Sequence, residues 1–265
     1  MAKNPCIFPR ITAKLKRPSS SQTFAFVYLL LSCLYTASSL NLSPAEKVFL
    51  GARLDSIIAS TKSKFVSTNS ISFINTLSNE NNNTPRDIVV IFPGAGGPDQ
   101  FTSELEQTII EQDTSANLIG PAKRFIKVWD WTEHRGSILS AAFDGEAVGE
   151  AVAEAIHDQV PLSLCRSIHS IGISVGGFAA NAFGRKCKAL SAPYVRLTLL
   201  DPFCSRGILG NVYGAQNFGN NVDFAEHYLN TDDPVPTTND PLPLCAVVDV
   251  TNAKEKSEFI PPKVS

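Results

Sequence analysis

Ser174 stands in Gly172-Ile173-Ser174-Val175-Gly176, the G-x-S-x-G pattern. The chemistry this spacing suits is acyl transfer. A serine pushed out at a sharp strand-to-helix bend can attack a carbonyl carbon and carry the acyl group. Glycines two residues to either side leave room for the strained turn, where a Cβ would strike neighbouring backbone. The N–H groups that follow, at a helix N-terminus, can face an oxyanion. The same pattern also occurs at Gly-rich strand–helix turns that do no chemistry. A second loop, Pro93-Gly94-Ala95-Gly96-Gly97, frees backbone N–H groups to point at an anion. It has no Lys-Ser/Thr pair of the kind a P-loop uses on phosphate. It therefore reads as half of an oxyanion hole, with the Val175 N–H as the other half, or as a tight turn without function. Asp201, just before Pro202, ends an apolar run. An acid there could orient a catalytic histidine, or simply cap the next turn.

These groups need elements to hold them. Residues 167–173, with Ile168, Ile171 and Ile173, read as a buried strand, and the small residues of 177–183 as the helix after it. The run 88–92 (IVVIF) is β-rich and continuously apolar, as a strand buried on both faces should be. Phe101, Leu105, Ile109 and Ile110 form a helical stripe, 125–129 a strand, and 147–156 a helix with Val148, Val152, Ala155 and Ile156 on one side. Strands follow at 195–200 (VRLTLL) and 245–250 (CAVVDV). Upstream, Ser43-Pro44-Ala45-Glu46 is a capping box with proline at the first helical position, and predicts a helix through Ile58. This βαβα alternation predicts an α/β fold, a mostly parallel doubly wound sheet with helices on both faces.

The chain has 265 residues, 43% hydrophobic, with a net charge of −2 and a pI near 6.1. That balance argues against a nucleic-acid binder. Residues 1–39 carry five basic side chains and no acid, so the net charge splits into +5 for this leader and −7 for the rest. A basic region to Arg17, an uncharged FAFVYLLLSCLY and the small residues Ala37 and Ser39 suit a cleaved secretory signal. A signal anchor and an organelle transit peptide are the alternatives. Cys165, Cys187, Cys204 and Cys245 remain beyond the leader; of three pairings, Cys165–Cys187 and Cys204–Cys245 are the ones favoured. No cysteine spacing resembles a zinc site. Asn41-Leu42-Ser43 and Asn82-Asn83-Thr84 are glycosylation sequons, relevant if the chain enters the secretory pathway. The organisation expected is a targeting segment at 1–39, an N-terminal helix and polar linker at 40–86, and a catalytic-type domain at 87–265.

Ile168-His169-Ser170-Ile171-Gly172-Ile173-Ser174-Val175-Gly176, followed by Leu199-Leu200-Asp201-Pro202, resembles the neutral lipases of the α/β-hydrolase fold. Asp130-Trp131-Thr132-Glu133-His134-Arg135-Gly136 and Asn230-Thr231-Asp232-Asp233-Pro234-Val235-Pro236 resemble segments of lipase-like proteins of algae and bacteria. The likeness covers about residues 86–252. It implies Ser174 as nucleophile, Asp201 as the acid, and the N–H groups of Ala95 and Val175 as oxyanion donors; His169 matches a non-catalytic strand histidine. The family's catalytic histidine follows the strand after the acid. Here 245–250 matches that strand and no histidine follows it, and the last strand and helix of the fold are missing. His227, after Asp201 in chain order, is then a candidate base, or a surface or helix-end histidine; His134, in a loop, could line the pocket. The resemblance implies a secreted or lumenal lipase- or esterase-like hydrolase without cofactor or metal. Its substrate would be a small-molecule or lipid ester, with a membrane surface as a further contact. The rival reading is a non-catalytic homologue that binds a ligand or protein partner in the old cleft.

Overall fold

The computed structural model describes residues 44–68, 86–115, 124–207 and 212–254. The leader, both sequons, Ser43 of the capping box and the polar stretch 79–85 lie outside the described residues. Helix α1 spans Pro44–Thr68. Then come β1 (Arg86–Phe92), α2 (Gln100–Ser115), β2 (Phe125–Val128), α3 (Ile138–Gln159), β3 (Cys165–Ile173), α4 (Gly176–Ala189), β4 (Val195–Leu200), α5 (Tyr213–Asn217), β5 (Phe224–Leu229) and β6 (Ala246–Asp249). The six strands form one sheet in the order β2-β1-β3-β4-β5-β6, and every neighbouring pair is parallel. The protein is therefore an α/β fold with a parallel sheet.

Alternation along β1 shows how the layers divide. Ile88, Val90 and Phe92 enter the large core under α3 and α4, while Val89 and Ile91 enter a smaller one with Ile109 of α2 and Ile171 of β3. An apolar run without polar interruptions is what a strand with a core on each side requires. Helix α1 lies on α3, with Ile57 and Phe65 buried and the Phe65 ring stacked on Trp129 at 5.7 Å. Helix α3 starts further upstream than its apolar stripe, because Ser137 and Ser140 cap each other's backbone. No described helix is long and apolar enough to cross a membrane.

Two sequence expectations change. Two strands, not one, follow β4: Phe224–Leu229 pairs with β4 and lies between it and β6. Its middle residues, Glu226 and His227, are polar yet buried, which hid the strand. The strand at Ala246–Asp249 is thus the second after Asp201, not the first. Neither expected pairing, Cys165–Cys187 or Cys204–Cys245, is made: the four described cysteines are free thiols, with Cys165, Cys187 and Cys204 buried. The Cys204 thiol donates to Pro202 O at 3.2 Å and that of Cys245 to Phe218 O at 3.8 Å, so each sulfur has a backbone partner.

Helices α3 and α4 cross at glycine. A Cβ on Gly149 would stand 2.1 Å from Ala179 O and 2.8 Å from Phe183 N, both backbone atoms that cannot swing away. Gly149→Ala should therefore destabilise by about 2–3 kcal/mol or more, through separation of the helices. Gly51→Ala, in α1 with nothing within 4 Å of the added carbon, should instead stabilise by about 0.5–1 kcal/mol. Urea midpoints of the two variants check the contrast.

Candidate active site

Strand β3 ends at Ile173 and α4 begins at Gly176, so the chain turns within two residues. Ser174 takes the left-handed φ of +51° that this requires, and is partly exposed. A non-glycine residue in that region is strained by roughly 1–2 kcal/mol, and such strain clusters at functional sites. The flanking glycines are steric necessities. A Cβ on Gly172 would lie 2.7 Å from Gly177 Cα, and one on Gly176 only 2.1 Å from Phe92 O. The turn is pinned by Ser174 N–H donating to Leu200 O at 3.0 Å and Gly177 N–H to Ser174 O at 3.0 Å.

Asp201 leaves the end of β4, the strand next to β3, and also has a left-handed φ, of +46°. Its N–H donates to Tyr228 O at 3.1 Å. Ile173 pairs with Leu200, so Ser174 and Asp201 are the first residues past the same sheet edge on neighbouring strands. The glycine loop meets them there. Gly94 lies so close that a Cβ on it would be 3.1 Å from Ser174 Cβ. The N–H groups of Ala95 and Val175 donate to none of the described residues.

The four histidines stand elsewhere. His227 lies in β5 opposite Leu199 and is fully buried, and neither ring nitrogen has a hydrogen-bond partner among the described residues. Burial holds its pKa down, at about 4. His169 hangs on the other face of the sheet. Its Nε2 is 2.7 Å from Thr198 Oγ1, which donates to Glu226 at 2.6 Å, and burial followed by nearby Arg196 lowers its pKa to about 4. His134, in the turn Thr132–His134, bonds Ser60 of α1 at 3.1 Å. His157, near the end of α3, accepts the Leu162 N–H. The structure thus brings together Ser174, Asp201, Gly94 and the backbone N–H groups of Ala95 and Val175, and makes no hydrogen bond from His227 to either Ser174 or Asp201.

Two groups around this edge were assigned no role by the sequence. The segment after Asp201 is fastened by Arg206, 1% exposed, whose Nη2 lies 2.9 Å from Glu146 of α3 and whose Nε donates to Ala142 O at 2.9 Å. Its guanidinium covers the Tyr213 ring at 3.8 Å. The glycine loop is gripped from Trp131 and Arg135. The Trp131 indole N–H donates to Pro93 O at 3.0 Å, and Arg135 donates to Gly94 O. The sequence placed both residues in the 130–136 segment of the resemblance without giving either a role.

The chain matches no protein-family model, and neither the curated proteins nor the solved structures include a match to it.

Proposed function

We propose that the chain is an α/β-hydrolase-type protein of the lipase or esterase class, with Ser174 as nucleophile, Asp201 as acid, and Ala95 and Val175 as the oxyanion donors. One observation carries the reading: a serine in left-handed conformation at a strand–helix turn, with glycines at 172 and 176 that no other residue could replace. The Ser174 hydroxyl would add to an ester carbonyl, and the carbonyl oxygen would become the oxyanion held by the two N–H groups. Collapse of that intermediate breaks the carbon–oxygen bond to the alcohol, which leaves with a proton, and water then cleaves the acyl-serine. The substrate would be a small or lipid carboxylic ester, met in the secretory lumen or outside the cell if the leader acts as a signal.

This apparatus is impaired in the chain, because no described histidine is hydrogen-bonded to Ser174 or Asp201. That same observation favours the second reading, a homologue that retains the cleft for binding. Turnover of a short-chain nitrophenyl ester by wild type, Ser174→Ala and His227→Ala separates the readings. We expect slow turnover, of the order of 10³–10⁴-fold over water, lost in Ser174→Ala and kept in His227→Ala. Robust turnover abolished in both variants would make His227 the base. A rate unaffected by Ser174→Ala would remove the hydrolase reading, leaving ligand binding.

A further inference from the structure

The glycine loop is the part of this site least able to hold its own shape. Its one internal hydrogen bond runs from Gly97 N–H to Gly94 O at 3.1 Å, and Gly97 has a φ of +87°. A peptide unit is planar and trans, so its carbonyl and its N–H point in opposite directions. The direction of the Ala95 N–H is therefore set by whatever holds the Gly94 carbonyl. That carbonyl accepts from Arg135, and the carbonyl before it, of Pro93, accepts from the Trp131 indole. Both neighbouring carbonyls are thus drawn toward the segment 131–135, while Gly94 itself abuts Ser174.

Arg135 is built in, not draped over. Its side chain is 1% exposed, its second nitrogen donates to Thr132 Oγ1 at 2.5 Å, and its Nε has no partner among the described residues. Among the described residues its nearest carboxylate oxygen, on Asp130, is 4.0 Å away. Trp131 lies beneath it, with the guanidinium carbon 5.5 Å from the ring centre. Gly97 suits its φ of +87°, and a Cβ there would also come within 2.9 Å of the guanidinium. A buried arginine whose carboxylate stands 4.0 Å off, and whose desolvation outweighs that attraction, is costly to maintain. An apolar side chain would fill the space with less penalty, so the cost needs a role to account for it.

We propose that Arg135 is the positioning residue of the oxyanion hole: by holding Gly94 O it turns the Ala95 N–H toward the carbonyl oxygen that Ser174 attacks. This rests on the hydrolase reading of Ser174. The residue does not touch substrate; it acts through one peptide plane. A fork of donors suits the task, because one arm holds the carbonyl while the other is fixed on Thr132.

Residual ester hydrolysis is the appropriate probe, since without a base it is the oxyanion hole and binding that supply the rate. Arg135→Met should lower kcat by about 10²-fold with KM unchanged, the signature of a contact made only in the transition state. Arg135→Lys, which keeps a cationic donor for Gly94 O, should recover the rate to within about tenfold of wild type. Should Arg135→Met fail to fold by circular dichroism, Thr132→Val frees the fixed arm at an exposed position and should lower kcat about threefold to tenfold at constant KM. A kcat within about twofold of wild type in every folded variant, or a rise in KM alone, overturns the proposal. Hydrolysis indifferent to Ser174→Ala is a different result: it overturns the reading of Ser174 and the role of Arg135 with it.

Discussion

Replacing Arg206 by methionine should destabilise the protein by roughly 3–5 kcal/mol, because it leaves the carboxylate of Glu146 buried without its cation. Glu146 is 4% exposed and Arg206 1%. The carboxylate also accepts the Tyr213 hydroxyl, and Arg185 of α4 reaches it at 3.4 Å. Arg185 is the more exposed of the two arginines and more distant, so it should replace only part of the lost attraction. The double variant Arg206→Met with Glu146→Leu removes both charges and should recover much of the loss. Chemical denaturation of the two single variants and the double variant makes the cycle. The Arg206 guanidinium also lies 5.2 Å from the Phe143 ring centre and 5.1 Å from that of Phe178, so equal losses in the single and double variants would mean that packing against these rings and Tyr213, not charge, sets the effect. Since Arg206 follows Asp201 closely in the chain, the singles should also lower any Ser174-dependent rate.

Acid should unfold the protein through its buried histidines. His169 and His227 have folded pKa values of about 4, against about 6.5 for an unfolded chain. The folded state therefore binds fewer protons than the unfolded state between those limits, and stability rises with pH there. It is fully present above about pH 6.5 and declines as pH falls toward 4, by roughly 3 kcal/mol from each histidine. His169 has Arg196, Glu226 and Arg124 around it, whereas burial is the sole cause for His227. His227→Leu thus removes a buried ring with two unsatisfied nitrogens. It should raise stability at pH 7 by about 1–2 kcal/mol and flatten the acid limb. Urea midpoints between pH 4 and 8 test this. An unchanged slope in His227→Leu would show that the ring is not held neutral by burial.

The sequence made the scaffold legible wherever apolar periodicity ran uninterrupted. IVVIF became β1, VRLTLL became β4 without change of boundary, and the stripe from Phe101 to Ile110 became α2. The strand–helix turn at Ser174 was legible because glycine spacing reports steric room, and room is what Gly172 and Gly176 supply. Strand β5 was not, because Glu226 is satisfied by Arg196 and Thr198 from β4, a compensation that exists only after folding. Helix α1 runs past Ile58 to Thr68 through KSKF, where Phe65 gains its place only against Trp129. Arg135 stood in the 130–136 segment of the resemblance, but its role was hidden for the same reason: its contact with Gly94 O exists only after folding.

The strand order has a consequence for how the protein emerges from the ribosome. β1 lies between β2 and β3, but β3 follows it in the chain only after α2, β2 and α3 have been made. At about 5–20 residues per second, several seconds pass in which the most apolar strand of the sheet has one edge unpaired. Parallel pairing across such separations is slow and exposes the chain to aggregation meanwhile. The early partner, β2, is short and only half buried, so it protects one edge weakly. Synthesis slowed between Val128 and Cys165 should therefore lower soluble yield more than the same delay placed after Leu200, when every interior neighbour of β1 already exists.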